Sequence, residues 1–325
     1  MYTNCDLILS VKEAENREKW LAVRNQGIGG SDASVIMGLN PYKSAYQLWL
    51  EKRGIAEPED LTGNPYIYWG QKNEANIADW FQEETGKKIR RLGTLQNREK
   101  PFLLANVDRM VTGEDAGLEI KTAGVSQYKK WKDDEIPDSY YCQCLHYMAV
   151  TGADYWYIAV LLGGNDAKWK RIERNEEDIK ALLEKEREFW HLVETGVAPE
   201  IDVSKSCADA LQFKYKDAVR DSETELPKDA GDLFREYDDI TEQLNELKEK
   251  ESLVRNKMMD LLQTNEVGIW YDSAGGKRKV TWKAPKASES VKLSDIKKQD
   301  MNEYERLKEK GFITVREATR RLRIY

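Results

Sequence analysis

Histidine and cysteine are scarce in this 325-residue chain: two histidines, His146 and His191, and four cysteines, Cys5, Cys142, Cys144 and Cys207. The cysteines form no C-x-x-C pair, so a disulfide framework or a cysteine-ligated zinc site is not expected, and the reducing cytosol is the default compartment. Two histidines leave little room for histidine-rich zinc chemistry or a Ser-His-Asp triad, so catalysis should run on carboxylates and lysine. Phosphate-binding glycine motifs of the form GxxxxGK[ST] or GxGxxG are missing, which argues against an NTPase or a dinucleotide enzyme. No apolar run approaches the roughly 18 residues of a membrane span, and Met1 to Ser10 has no basic-then-apolar leader pattern. Repeats and low-complexity tracts are also lacking. Net positive charge is lacking too: 51 Lys and Arg stand against 58 Asp and Glu, net -7. That excludes a uniformly basic nucleic-acid coat but leaves room for a basic groove.

What is present is 40% hydrophobic residues, enough for a substantial core, with 34% charged residues and a mean hydropathy of -0.73. Charge is unevenly placed. Residues 221–270 carry 6 basic and 14 acidic side chains, residues 271–325 carry 15 and 8. The sign reversal suggests an appended module, and the chain divides at about 1–205 and 206–325.

Helical and strand patterns alternate through the first part. Trp20 to Arg24 leads into the turn Gly27-Ile28-Gly29-Gly30, then a helix with Ser31 or Asp32 as its N-cap. Ser44 to Lys52 and about Gly70 to Glu84 read as helices closed by Gly54 and Gly86. Leu103 to Thr112 and Ala116 to Thr122 read as strands joined at Gly113-Glu114-Asp115. A helix from Pro137-Asp138-Ser139 to Val150, strands at Tyr155 to Leu162 and Lys168 to Ile172, and a helix from Glu176 to Val193 follow. This predicts an α/β core with a mixed sheet flanked by helices. Beyond it, Leu233, Tyr237, Ile240, Leu244, Leu247, Val254, Met258 and Leu261 follow heptad-like steps interrupted by Glu251. They suit either one helix of a hairpin or bundle, or a self-associating coiled coil. A hairpin at Ile269-Trp270-Tyr271 and Lys279 to Trp282, and a basic end with Arg316, Arg320, Arg321 and Arg323, complete the chain.

The chemistry centres on Asp108 and Glu119-Ile120-Lys121. Strand alternation puts Glu119 and Lys121 on one face, and a turn near Glu114 brings Asp108 beside them. Two carboxylates and a lysine suit metal-assisted phosphodiester hydrolysis: Mg²⁺ takes oxygen ligands and the lysine acts on the attacking water. The same residues also suit an exposed Glu/Lys face on an ordinary hairpin. Three further features bear on the choice. Glu74 shares a helical face with Ile77, Ala78 and Phe81, where a carboxylate is costly unless paired or metal-bound. Gln143 and Tyr147 lie one helical turn apart, with Tyr140 on the same face. Arg24 and Ser31 flank a glycine turn whose amides, including those of Gly29 and Gly30, could hold an anion. A satisfied amide in a tyrosine-rich core stripe, and an ordinary glycine turn, explain the last two equally well.

The stretches WLAVRNQGIGGSDASVIMG, YWGQKNEANIADWF, NVDRMV, LEIKTA and YYCQCLHYMAV, in this order across roughly residues 15–200, resemble the YqaJ-type viral recombinases. These are relatives of phage lambda exonuclease among the RecB-like PD-(D/E)xK nucleases. The resemblance implies a restriction-endonuclease-like fold with Asp108, Glu119 and the Ile120 carbonyl binding Mg²⁺ (Mn²⁺ substituting). Glu74 supports the metal site, and Lys121 acts on the water. Gln143 and Tyr147 form the family's QxxxY signature, and Arg24 and Ser31 hold a 5′-phosphate. Residue 107 is Val where the motif name has Pro, and the last 120 residues or so are left unexplained.

The implied activity is resection of duplex DNA from the 5′ end, leaving a 3′ single strand for a RecT/Beta-type annealing partner in a bacterial or phage-infected cytosol. A 3′→5′ or structure-selective nuclease on the same core is the alternative, and a non-catalytic DNA-binding accessory is another. Lys87, Lys88, Arg90, Arg91, Lys129, Lys130 and Lys132 are candidate backbone contacts, with Tyr128 and Trp131 available for stacking; solvated charged faces explain the lysine clusters equally well.

Overall fold

A computed structural model describes residues 4–132, 135–217, 219–286 and 290–315, with Leu322 and Ile324. Arg316, Arg320, Arg321 and Arg323 lie outside the described residues. In chain order the elements are β1 (Cys5–Leu9), α1 (Val11–Ala14), α2 (Arg17–Arg24), α3 (Gly30–Ile36), α4 (Ala45–Lys52), α5 (Pro65–Thr85), β2 (Ile89–Arg90), β3 (Thr94–Asn97), β4 (Leu104–Asn106), β5 (Arg109–Val111), β6 (Ala116–Ala123), α6 (Asp138–Thr151), β7 (Tyr155–Leu162), β8 (Asp166–Glu173), α7 (Glu176–Thr195) and α8 (Lys205–Lys214). After these come α9 (Ala230–Leu262), β9 (Val267–Tyr271), β10 (Lys277–Thr281), α10 (Leu293–Gln299) and α11 (Met301–Glu309). The chain forms two compact units, the larger containing Met1–Asp217 and the smaller Ala218–Ala318.

The larger unit is a mixed α/β fold. Its main sheet runs β2-β5-β6-β7-β8, and a second sheet runs β1-β3-β4. β6 and β7 are parallel, with Glu119 opposite Ile158 and Lys121 opposite Val160. A parallel pair needs a crossover connection, and α6 supplies it. β7 is apolar along its length because both its faces are covered. Trp156, Ile158, Val160 and Leu162 pack in one cluster with Leu145 and Met148 of α6. Tyr157 and Ala159 pack in another with Ile77, Ala78 and Phe81 of α5 and with Leu118 and Ile120 of β6. Leu118 and Ile120 therefore face α5, and the intervening Glu119 and Lys121 face α6, as strand alternation requires.

The glycine-terminated helices form where the sequence places them: α5 and α6 end at Gly86 and Gly152 with φ of 69° and 79°. Four differences have physical causes. α5 begins five residues before Gly70, at Pro65, because Asn64 caps it and proline is preformed for a first helical turn. The expected strand from Leu103 to Thr112 is two strands in two sheets: β4 pairs with β3 and β5 pairs with β6, and the chain changes sheets at Val107-Asp108. The N-cap of α3 is Gly29, not Ser31 or Asp32; Asp32 sits at the third helical position and accepts the Gly29 N–H at 3.1 Å.

The fourth difference is the unit boundary, which follows α8 and not residue 205. Cys207 and Ala210 are buried against Tyr46, Leu48 and Trp49 of α4, and Lys214 donates to the Tyr46 hydroxyl at 2.8 Å. All four cysteines are free and buried. His146 is fully buried, with Nδ1 2.6 Å from Glu186 and Nε2 2.8 Å from the Leu104 carbonyl, in a structural contact between α6 and α7. Among the described residues no helix is long and apolar enough to cross a membrane.

Candidate active site

The switch between sheets explains the position of Asp108. Released from β4 and not yet paired in β5, it turns its carboxylate across to β6, where Oδ2 accepts the Ile120 N–H at 2.8 Å. Glu119 is buried on the adjacent strand. Lys121 Nζ lies 2.5 Å from Glu119 Oε1 and donates to Gln143 Oε1 at 3.0 Å. Gln143 Nε2 donates to Glu119 Oε1 and to the Tyr147 hydroxyl, both at 2.8 Å, and that hydroxyl donates to the Asn106 carbonyl at 2.9 Å. The two side chains one helical turn apart on α6 thus tie Glu119 and Lys121 to the end of β4. Tyr140 closes the other side, its ring centroid 5.1 Å below the Lys121 ammonium.

Burial and the Glu119 charge hold the Asp108 carboxyl well above the usual carboxylate range, and Lys121 only partly offsets them. Burial lowers the Lys121 ammonium, yet Glu119 and Asp108 outweigh it and raise it above the ordinary lysine value. The site thus concentrates negative charge that a single lysine cannot fully balance. Glu119 Oε2 is buried without a hydrogen-bond partner, an expensive state for a carboxylate oxygen. That orphaned oxygen beside a second, destabilised carboxylate is what a hard divalent cation would relieve. Mg²⁺ commonly uses only one or two protein carboxylates, with water and phosphate oxygens completing its shell. Asp108, Glu119 and the neighbouring Ile120 carbonyl fit such a group. Among the described residues there is no cluster of three or more His, Cys, Asp or Glu side chains arranged as a protein-only cage.

Glu74 occupies the α5 face above Ile77 and Phe81, but its partner is a cation: Arg109 Nη1 lies 2.5 Å from Glu74 Oε1 and also donates to the Asp108 carbonyl at 2.7 Å. Glu74 still adds to the negative potential at Asp108. Sequence reasoning overlooked Arg109; the adjacent Asp108 was its only signal.

Arg24 and Ser31 are together, with Arg24 Nη2 donating to Ser31 Oγ at 3.1 Å and to Asp32 Oδ1 at 2.9 Å. Behind them lies an unforeseen group. Lys52 Nζ, from α4, is 2.8 Å from Asp32 Oδ2 and donates to the carbonyls of Gly27 at 2.6 Å and Arg24 at 2.9 Å. Burial raises Asp32, but Lys52 and Arg24 overcome it and hold the carboxyl far below its usual range; burial lowers the Lys52 ammonium, and Asp32 partly offsets that. Gly30 links this turn to the acidic site: a Cβ there would lie 2.5 Å from the Tyr147 ring and 3.0 Å from Gln143 Cγ. Gly29 has no such neighbour, the nearest atom being Asp32 Oδ2 at 3.7 Å.

Of the residues proposed for DNA contact, Lys129, Lys130 and Lys132 are exposed on and just after the turn following β6. Trp131 is not available for stacking: it is 2% exposed and packs in the core with Tyr140, because the three-residue period of its short 3₁₀ turn puts it on the same inner side as Tyr128. Lys88, Arg90 and Arg91 are exposed, and Lys87 is paired with Glu114 at 2.5 Å. Exposed Tyr68 and Trp69, edge-to-face at 5.4 Å, precede Gly70, whose Cβ position is 3.5 Å from Thr122 Oγ1. These aromatics open the stretch YWGQKNEANIADWF, but no stacking role was read for them from the sequence.

The YqaJ-like viral recombinase domain matches residues 19–154. Over 305 residues, 93% of each chain, the sequence is 36% identical to the uncharacterized protein YqaJ of Bacillus subtilis (strain 168). Among solved structures, it is similar to an alkaline exonuclease (LHK-Exo) from Laribacter hongkongensis, with 19% identity, coverage of 55% of this chain and 94% of that one, and a TM-score of 0.47. It is also similar to a phage-related exonuclease from Haemophilus somnus 129PT, with 14% identity, coverage of 53% and 96%, and a TM-score of 0.40.

Proposed function

The chain belongs to the YqaJ-like viral recombinase family, and from that premise we propose that it is a Mg²⁺-dependent exodeoxyribonuclease that resects duplex DNA from 5′ to 3′. The observation that carries this reading is the meeting of Asp108, Glu119 and Lys121 at one point, with Glu119 Oε2 buried and unpartnered. Asp108, Glu119 and the Ile120 carbonyl would hold Mg²⁺ (or Mn²⁺), which would supply Lewis-acid polarisation of the scissile phosphate.

The chain's own groups supply the rest. Lys121, held by Glu119 and Gln143, serves as a donor that orients the attacking water and offsets charge growing on the phosphate. Gln143 fixes the direction of that ammonium through Oε1 while its Nε2 holds Glu119. Tyr147 anchors the amide to the Asn106 carbonyl, so both parts of the pair are braced before substrate arrives. Arg24 and Ser31 receive the terminal 5′-phosphate, Arg24 by a charge-assisted contact. Gly30, packed on Tyr147, connects that end-recognising pair to the hydrolytic residues, which supports removal of nucleotides from a 5′ end. Lys129, Lys130 and Lys132 provide backbone contacts. The 3′ single strand so produced suits an annealing partner of the RecT/Beta type.

Blunt duplex labelled separately at each end, with and without a 5′-phosphate, tests the reading. Expected is Mg²⁺-dependent release of label from the 5′-phosphorylated strand, abolished by chelator. Release from the 3′ end alone would establish the opposite polarity, and no release in either metal would leave a non-catalytic DNA-binding role.

A further inference from the structure

The smaller unit contains a 33-residue helix, α9, about 50 Å long at 1.5 Å per residue. Its apolar stripe is uncovered: Leu233, Ile240, Leu247, Val254 and Leu261 are 48–78% exposed, and Tyr237, Leu244 and Met258 are 44–49% exposed. The first group occupies the d positions of a heptad and the second, with Glu251, the a positions. An apolar seam of this length, interrupted only at Glu251, needs a covering surface.

The charges specify which surface. In Ala230–Glu246 the helix carries six acidic residues and one basic residue; in Leu247–Leu262 it carries four basic and three acidic. The four basic residues, Lys248, Lys250, Arg255 and Lys257, occupy all but the last of the e and g positions beside the second half of the seam. A parallel in-register pair would place Glu251 against Glu251 in the seam, Lys250 beside Arg255, and the two acidic halves together. Reversing one helix removes each conflict. With a and d layers interdigitated so that Tyr237 meets Val254 and Leu244 meets Leu247, the seams overlap from end to end. Glu236 then meets Lys257, Phe234 meets Arg255, and no two like charges face each other across the flanks. Glu251 packs against Ile240, where its intrahelical partner Arg255, 3.3 Å away, neutralises it. Shifting the register by one heptad in one direction would set Lys250 against Lys250, and in the other would leave Met258 and Leu261 opposite residues that precede α9.

We infer that α9 is the self-association surface of this protein, pairing with α9 of a second copy as an antiparallel coiled coil centred between Asn245 and Glu246. The pairing involves only the smaller unit, so the inference stands independently of what the larger unit catalyses.

The test uses the full chain. A spin label on Asp232→Cys, the native cysteines being buried, should report an interlabel distance near 40 Å, because residue 232 lies opposite residue 259 and the 27-residue offset spans that length. A distance under roughly 20 Å would mean parallel pairing and would overturn the inference. Light scattering should show Ile240→Asp/Leu247→Asp losing the association. Lys257→Glu should weaken it at least several-fold, with recovery on adding Glu236→Lys. A wild-type chain whose mass is unchanged by Ile240→Asp/Leu247→Asp, whether because α9 stays single or because it packs on its own chain, would also overturn it.

Discussion

Lys52 and Asp32 form an ion pair at 2.8 Å with both side chains 2% exposed, and the same ammonium holds the carbonyls of Gly27 and Arg24. Replacing Lys52 by Met leaves a buried carboxylate with Arg24 as its only cation. Removing one member of such a pair costs about 3–5 kcal/mol, and chemical denaturation at neutral pH should show a loss of that order. Asp32 has a depressed folded pKa, so its stabilising contribution is present above the unfolded carboxylate value of about 3.9 and is lost as pH falls through the folded value. The difference between wild type and Lys52→Met should therefore shrink below about pH 4.

Asp108 has the opposite sign. Its folded pKa is raised by burial and by Glu119, so ionised Asp108 weakens the metal-free fold at neutral pH. Asp108→Asn can keep the hydrogen bond from the Ile120 N–H while removing the charge. Expected are loss of cleavage and a gain on the order of 1 kcal/mol, or roughly 2–4 °C in Tm, without added metal. A lower Tm would mean that the carboxylate is satisfied in the folded chain.

Gln143→Leu keeps the bulk of the side chain but removes its hydrogen bonds with Lys121, Glu119 and Tyr147, leaving the direct Lys121–Glu119 pair in place. A residue that orients catalytic groups through hydrogen bonds is worth about 10–100-fold. The loss should fall on kcat, with DNA affinity nearly unchanged, and Lys121→Met should lose more, about 10²–10³-fold. Single-turnover kinetics and filter binding separate the two effects.

Gly30 and Gly29 should respond differently to the same added methyl. Gly30→Ala drives a Cβ into Tyr147 and Gln143, an overpacking that costs about 1–3 kcal/mol and disturbs the Gln143 network, so both Tm and kcat should fall. Gly29→Ala meets nothing closer than 3.7 Å and should leave kcat within a few-fold of wild type.

The placement of α8 sets where the chain can be cut. A fragment of residues 1–217 should melt cooperatively and retain Mg²⁺-dependent nicking. One ending at Asp209 cuts through α8, removes the Lys214 contact to Tyr46 and opens the pocket holding Cys207. It should melt several degrees lower, as differential scanning fluorimetry would show.

Local order along the chain determined a great deal. Two-residue alternation put Glu119 and Lys121 on one face and Leu118 and Ile120 on the other, and one helical turn put Gln143 beside Tyr147. Glycines at 86 and 152 stopped their helices because only they enter the left-handed region without strain. The five ordered motifs marked the family.

Tertiary structure alone decided the rest, since those relations join residues with no fixed spacing. It broke the Leu103–Thr112 strand at Asp108, because two sheets compete for that segment's hydrogen bonds and the carboxylate turns at the changeover. It paired Glu74 with Arg109 and sealed Trp131 in the core. It brought Lys52 beneath the Arg24–Ser31 turn from 20 residues beyond Asp32. A buried charge needs an opposite charge within a few ångströms; Arg24, eight residues before Asp32, supplies one, and the packing of α4 against α3 supplies the fully buried second.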